Sequence, residues 1–344
     1  MRVFIFAFIA ILAARALSAE ILTLDNNLHP TGQYTTWIAA YNAASDGDII
    51  YVYPSPYDYG PAWNQPVRKS LTVIGGGFNP ANPDLLTSKI SPWVDDATGA
   101  GSVFSGIHLC SNVNNSHQVT YENCRFDTNV TLQASGSELR NCWCSVNVFA
   151  GNGVHISGCT LQGYMQPALG ADVTCSNCVF IGNVTHIDTG GNNNLCCYFN
   201  NCLFANVDDG THILHGGWSS PIDLHFVNCI METITIYAAH DFQYCIYEGN
   251  STNITDPSNM QDVNLALVME DVNGGDYHLV PEPPANPAIG AGINGEDIGI
   301  YGGATPFNDL WYLTSLPSIT GFTCPVVIDE NGFLNVHIEA QAGN

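Results

Sequence analysis

Residues Val173 to Phe180 read VTCSNCVF, and the Cys-Ser-Asn-Cys inside them has the spacing of a metal clip or a redox dithiol. The stretch is, however, one copy of a repeated hexad: YENCRF (121–126), LRNCWC (139–144), ISGCTL (156–161), CSNCVF (175–180), FNNCLF (199–204), FVNCIM (226–231) and FQYCIY (242–247). Cys178 is the fourth rung of a ladder made by Cys124, Cys142, Cys159, Cys178, Cys202, Cys229 and Cys245, with steps of 18, 17, 19, 24, 27 and 16 residues. Steps that hold near one value and stretch by insertion describe the coils of a solenoid.

Counting from the ladder cysteine, the residues three before it are Tyr121, Leu139, Ile156, Cys175, Phe199, Phe226 and Phe242. Those two after it are Phe126, Cys144, Leu161, Phe180, Phe204, Met231 and Tyr247. Both rows are apolar, so a short strand with inward side chains lies on each side of the cysteine. The odd offset across the junction requires a tight turn, filled by Asn123, Asn141, Asn177, Asn201 and Asn228, with Gly158 in the third copy. Asparagine tolerates the left-handed conformation of such a corner, and its amide is expected to bond to the next coil's corner. Stacked parallel strands keep side chains about 4.8 Å apart, wider than the ~3.8 Å between β-carbons that a disulfide favours. The ladder is therefore expected as reduced thiols in a dry core, joined there by Cys144, Cys175 and Cys197. Cys196 is expected to point outward, and with Cys110 and Cys324, which lie off the ladder, to be most open to oxidation.

The 344 residues are 46% hydrophobic, enough for one large domain or two small ones. The opening MRVFIFAFIAILAARALSAE combines a basic start at Arg2, an apolar run to Ala14 and small residues at Ala16, Ser18 and Ala19, the pattern of a signal peptide over residues 1–19. Arg15 interrupts the run before it is long enough to anchor in a membrane, and no later stretch qualifies, so a secreted or cell-surface protein is expected. Asp and Glu number 31 against seven Lys and Arg, two of them in the leader. Such a surface repels nucleic acid, anionic lipid and polyanionic sugar, which excludes a nucleic-acid partner and favours a neutral one. Before the repeats, TTWIAAYNAASDGD (35–48) aligns Trp37, Ile38, Tyr41 and Ala44 on one stripe, opening at Thr35 or Thr36 and closing at Gly47; it predicts a helical lid on the open stack. IIYVYP (49–54) and SLTVIGGG (70–77) are expected as the first strands.

The order AAYNAASDGDIIYVYP, VRKSLTVIGGG, asparagine-cornered coils, DYHLVPEPPANPAIGAG and NGEDIGIYGG (294–303) resembles secreted bacterial proteins of the right-handed parallel β-helix, pectate-lyase-like superfamily. The resemblance implies an all-β, single-stranded parallel β-helix over residues 20–305 with an N-terminal helical cap. The tail, 306–344, is similar to segments that follow such helices, and Asn331-Gly332 between alternating runs suggests a β-hairpin appendage. The superfamily holds lyases, glycosidases, esterases and adhesins, so it implies the fold and leaves the activity open.

Lyases of this superfamily use an Arg or Lys base with calcium held by Asp and Glu, and no such pattern surrounds Arg68, Lys69, Lys89, Arg125 or Arg140. Its polygalacturonases show paired Asp, Gly-His-Gly and Arg-Ile-Lys; here only Asp208-Asp209 and His215-Gly216-Gly217 echo that order, without Arg-Ile-Lys. Acid–base hydrolysis at Asp208 and Asp209 is thus a weak candidate. THIDTGG (185–191) and THILHGG (211–217) align on successive coils and place His186, Asp188 and His212 together, a second catalytic candidate or a site for a divalent metal such as zinc or calcium. An outward row four before the ladder, Thr120, Glu138, His155, Thr174, Tyr198, His225 and Asp241, offers His155, Tyr198, His225 and Asp241 as binding candidates. One after the ladder, Val179, Leu203, Ile230 and Ile246 form an outward apolar stripe that needs a cover, for which Phe307 to Leu316 is the nearest segment. The function expected is a non-catalytic scaffold binding a polysaccharide or a cell-envelope component. A polysaccharide-degrading enzyme and a purely structural surface protein are the alternatives.

Overall fold

The computed structural model describes residues 19–79, 84–93, 99–168, 170–181, 195–205, 222–232, 240–272, 274–281, 285–309, 318–323 and 336–341. The chain winds into a right-handed parallel β-helix. Its long sheet has eleven strands, from Ile21–Leu24 at one edge through Asp172–Ser176, Leu195–Asn200 and Ile222–Val227 to Asp241–Gln243 at the other. A second sheet of ten strands contains the residues that follow each ladder cysteine, and a third of four strands contains Val113–Asn115, Val130–Leu132, Val148–Ala150 and Met165–Pro167. Among the described residues no helix is long and apolar enough to cross a membrane.

The corner works as the hexad predicts. Asn123, Asn141, Asn177, Asn201 and Asn228 all have φ of 51–53°, Gly158 has 60°, and Tyr244 takes the same left-handed conformation at the last corner. All seven ladder cysteines and both flanking rows are buried. Their rings stack along the axis: Phe199 on Phe226 at 4.9 Å and Phe226 on Phe242 at 4.7 Å, with Phe204 edge-on to Phe226. The ladder thiols point to backbone carbonyls. Cys202 Sγ reaches Asn200 O and, one coil back, Cys175 O, at 3.4 and 3.5 Å; Cys229 reaches Val227 O and Phe199 O in the same way. Cysteine thus supplies a weak donor at the corner without bringing a strongly hydrated group into the core.

No described cysteine is in a disulfide, and burial pushes the thiols of Cys142, Cys159, Cys175, Cys202 and Cys229 well up, so they stay protonated and inert. Cys324 lies outside the described residues. A thiol reagent added to the native, unreduced protein should label no described cysteine beyond the half-buried Cys110 and Cys196, and after denaturation it should label the ladder as well. A denatured sample with its cysteines already in disulfides would refute this packing.

The N-terminus differs in detail from expectation. The helix spans Trp37–Ala43, with Thr36 Oγ1 accepting from Ala39 N, and ends before Gly47. Its buried side chains are Trp37, Ala40 and Tyr41, while Ile38 faces solvent at 40% exposure, so the stripe is rotated from the predicted one. Lys69 Nζ caps its C-terminal carbonyls at Tyr41 (2.5 Å) and Ala44 (2.7 Å), where a cation is favoured. The strand Ile21–Leu24 comes before the helix and pairs with Ile49–Val52, so the two expected first strands are the second and third of the long sheet. The proposed leader falls outside the described residues apart from Ala19.

The apolar stripe is covered, but mainly by a different segment. Val179, Leu203, Ile230 and Ile246 are at most 1% exposed, in a second core with Leu265, Val268, Met269, Ala288, Ile298 and Ile300. The described residues of 262–272, 274–281 and 285–303 pack on the second sheet as a strap, and Phe307 only packs at its margin; 310–316 lie outside the described residues. Buried Asn286 braces the strap through Val268 O and Val280 O.

The corner asparagines hold it in place. Asn177 Nδ2 donates to Ile300 O and Gly302 O, both at 2.8 Å; Asn201 Nδ2 reaches Asp297 O and Gly299 O; Asn228 Oδ1 accepts from Ile293 N. These three amides therefore bond to the strap instead of the next corner, which the backbone serves through contacts such as Asn177 N to Asn200 O. At the last coil Ser258 Oγ accepts from Tyr244 N, while Asn259 accepts from Cys245 N and donates to Phe242 O. Beyond the strap, Ser318–Thr323 and His337–Gln341 form an antiparallel pair; Asn331-Gly332 lies outside the described residues.

Candidate functional site

His186, Asp188, Asp208, Asp209 and His212 all lie outside the described residues. The outward row of the long sheet is in register as expected: Thr120, Glu138, His155, Thr174, Tyr198, His225 and Asp241 pair coil to coil. Its first part carries separate roles, with Glu138 paired to Arg140 and His155 exposed. Its last part is a cluster.

Strand register also places Asp172, Cys196 and Asp223 opposite one another, two residues before Thr174, Tyr198 and His225 and hence on the same face. The Tyr198 and His225 rings stack at 4.8 Å and 10°, the spacing of the coils. His225 Nδ1 lies 3.0 Å from Asp241 Oδ2, and Nε2 lies 3.2 Å from Asp223 Oδ1. The ligand atoms of Cys196, Asp223 and His225 are all within 4.8 Å of one another. The Cys196 thiol, with help from Asp172 and Asp223, pushes the Tyr198 hydroxyl up. His155 lies two coils away on this row and is not part of the cluster. The sequence row contained Tyr198, His225 and Asp241; Asp223 and Cys196 were missed as their partners because they sit two residues earlier on their strands, on a row that also carries Asp172.

A second group lies on the outer face of the second sheet. Buried His108 meets Thr87 Oγ1 at 3.0 Å through Nδ1 and Asp127 Oδ2 at 2.6 Å through Nε2, and Arg125 Nε meets Asp127 Oδ1 at 2.6 Å. The guanidinium also lies over the Phe78 ring. Burial pushes Asp127 up, but the hydrogen bonds from His108 and Arg125 outweigh it and hold the carboxyl at about 2. Cys110 is close by, and burial, with Asp58 and Asp127, pushes it up to about 11. Both nitrogens of His108 and both oxygens of Asp127 are committed, so this is a closed structural network.

The third sheet offers a concave feature. A groove of about 710 Å³ is lined by Thr131, Gln133, Phe149, Asn152 and Gln166, with Leu132, Ala150, Gly151, Pro167 and Ala168 completing its walls. Thr131, Phe149 and Gln166 are in register on successive coils, and Tyr164 packs edge-on against Phe149 at 5.7 Å. No ionisable side chain lines it. The third sheet lies outside the hexad, and sequence reasoning missed it for that reason.

Arg125 is bound to Asp127, Arg140 to Glu138 and Lys69 to helix carbonyls, so none of these three stands as a base beside an acidic cluster. No family model matches the chain. No curated protein matches it either.

Proposed function

We propose that the protein is an exported β-helix scaffold of the pectate-lyase-like kind that binds a neutral polysaccharide without cleaving it, in the groove of the third sheet. The observation that supports this reading is the groove's lining: an aromatic ring, a hydroxyl and three primary amides, with no charge, on a chain bearing 31 acidic residues. Its volume falls within the ~300–1,000 Å³ of ordinary ligand clefts. Gln133 Nε2 already donates to Asn114 Oδ1 and Asn152 Oδ1 accepts from Asp172 N, and the donors and acceptors that Gln133, Asn152 and Gln166 have left suit sugar hydroxyls that play both roles. Phe149 provides an apolar face for the ring carbons, held in orientation by Tyr164. Three coils about 4.8 Å apart give a repeating surface for a repeating polymer. Acidic polymers are disfavoured by the protein's charge and by a groove without Arg or Lys. Hydrolysis with a carboxylate pair needs two acids flanking the bond, and the groove walls carry none.

In affinity electrophoresis against soluble β-glucan, mannan, xylan and polygalacturonate, at least one neutral polymer should retard the protein and polygalacturonate should not. Phe149→Ala should weaken that retention about tenfold or more, roughly 1.4 kcal/mol, with unchanged circular dichroism. Equal retention of the variant, or no retention of the parent by any neutral polymer, overturns the reading. Release of new reducing ends overturns its non-catalytic part.

A further inference from the structure

We propose that Cys196, Asp223 and His225 form a zinc-type metal site on the outer face of the long sheet, with Asp241 as its positioning residue. The three ligands come from two adjacent, in-register strands, Leu195–Asn200 and Ile222–Val227, a more rigid support than a loop. Cys196 is directly opposite Asp223, and His225 is two residues on, projecting from the same face. Their ligand atoms lie within 4.8 Å of one another. A tetrahedral ion with bonds of about 2.0–2.3 Å holds its ligands roughly 3.3–3.8 Å apart, so modest side-chain closure completes the site and leaves a fourth position for water.

His225 is held between two carboxylates: Nδ1 lies 3.0 Å from Asp241 Oδ2, which can accept its hydrogen, and the opposite nitrogen, Nε2, faces Asp223 Oδ1 at 3.2 Å. Between that nitrogen and a carboxylate there must be a proton or a cation. The Asp241–His225 pair has the carboxylate–histidine arrangement that fixes the tautomer at metal centres. Among the described residues no Lys or Arg is paired with Asp223 or Asp241. The His108, Cys110 and Asp127 group has no such vacancy of charge, because Arg125 already neutralises its carboxylate.

The donor set chooses the metal. One thiolate, one imidazole and one carboxylate suit zinc or its neighbours, whereas calcium requires six to eight oxygens. Binding forms the metal–sulfur and metal–nitrogen bonds and releases the Cys196 thiol proton, together with any proton on Nε2, to solvent. The proposal does not rest on glycan binding, which is placed on another sheet.

Cobalt(II) is the probe, titrated into the full chain under reducing conditions. One equivalent should give the near-ultraviolet thiolate-to-cobalt charge-transfer band, and zinc should abolish it by competition. Cys196→Ala should lose the band and Cys110→Ala should keep it, while Asp241→Asn should weaken affinity about 10–100-fold. Absence of the band in the parent, or its survival in Cys196→Ala, overturns the proposal. So does unchanged affinity in both Asp223→Asn and His225→Gln variants whose circular dichroism matches the parent.

Discussion

Replacing Gly302 with alanine should detach the C-terminal strap and cost on the order of 3 kcal/mol or more. A β-carbon built there would stand 1.9 Å from Asp297 O and 2.4 Å from Asn201 Nδ2. The first is backbone and has no rotamer to escape into. The carbonyl of Gly302 itself accepts from Asn177, so displacement would break the lock at two corners together. With the strap loosened, Val179, Leu203, Ile230 and Ile246 would meet water as a continuous apolar stripe. Limited proteolysis should cut within 262–303, and an apolar dye should bind the exposed face. A variant within about 0.5 kcal/mol of the parent in chemical unfolding, and equally protected, would show that the lock is not needed.

Phe226→Ala should be comparably severe, at about 3–5 kcal/mol. Its ring is fully buried in the middle of the Phe199, Phe226 and Phe242 column, with Phe204 against its edge. Backbone hydrogen bonds to both neighbouring coils restrain collapse, so the cavity should persist. Because each coil of a solenoid touches mainly its neighbours, the damage should be local. Hydrogen exchange should rise over the last coils while the strands near Val73 and Phe104 keep their protection. Phe226→Leu should recover most of the loss, and a uniform rise along the whole chain would contradict the nearest-neighbour picture.

The coils were legible because two physical constraints leave marks in every copy. Inward side chains impose a period of two, and the left-handed corner admits little besides asparagine and glycine. Tyr244 shows that the position tolerates exceptions when the neighbouring rows are strong. The strap was not legible as a cover: Leu265, Val268, Met269, Ala288, Ile298 and Ile300 follow no period, since an irregular chain meets the sheet wherever it happens to cross. The need for a cover was readable from Val179, Leu203, Ile230 and Ile246, whereas its identity depended on where the chain turned back. Ile38 was misplaced because a seven-residue helix offers too few turns to distinguish it from Ala40. The cluster at Cys196 depended on a register between strands 27 residues apart, through a step lengthened by insertion, and only the row through Tyr198 and His225 carried that register in the sequence.

The treatment of the last coil bears on what the molecule cannot become. A parallel β-helix has no intrinsic length: each coil presents the next with a complete template, and a bare terminal coil is an invitation to the first coil of another molecule. Here Ser258 and Asn259 occupy donors at Tyr244 and Cys245 and an acceptor at Phe242 with side-chain groups, which carry no strand onward. At those positions the template is consumed by its own chain. Head-to-tail growth into a fibre is thereby opposed at this end by one hydroxyl, one amide and the backbone of Met260, which donates to Cys245 O and accepts from Tyr247 N.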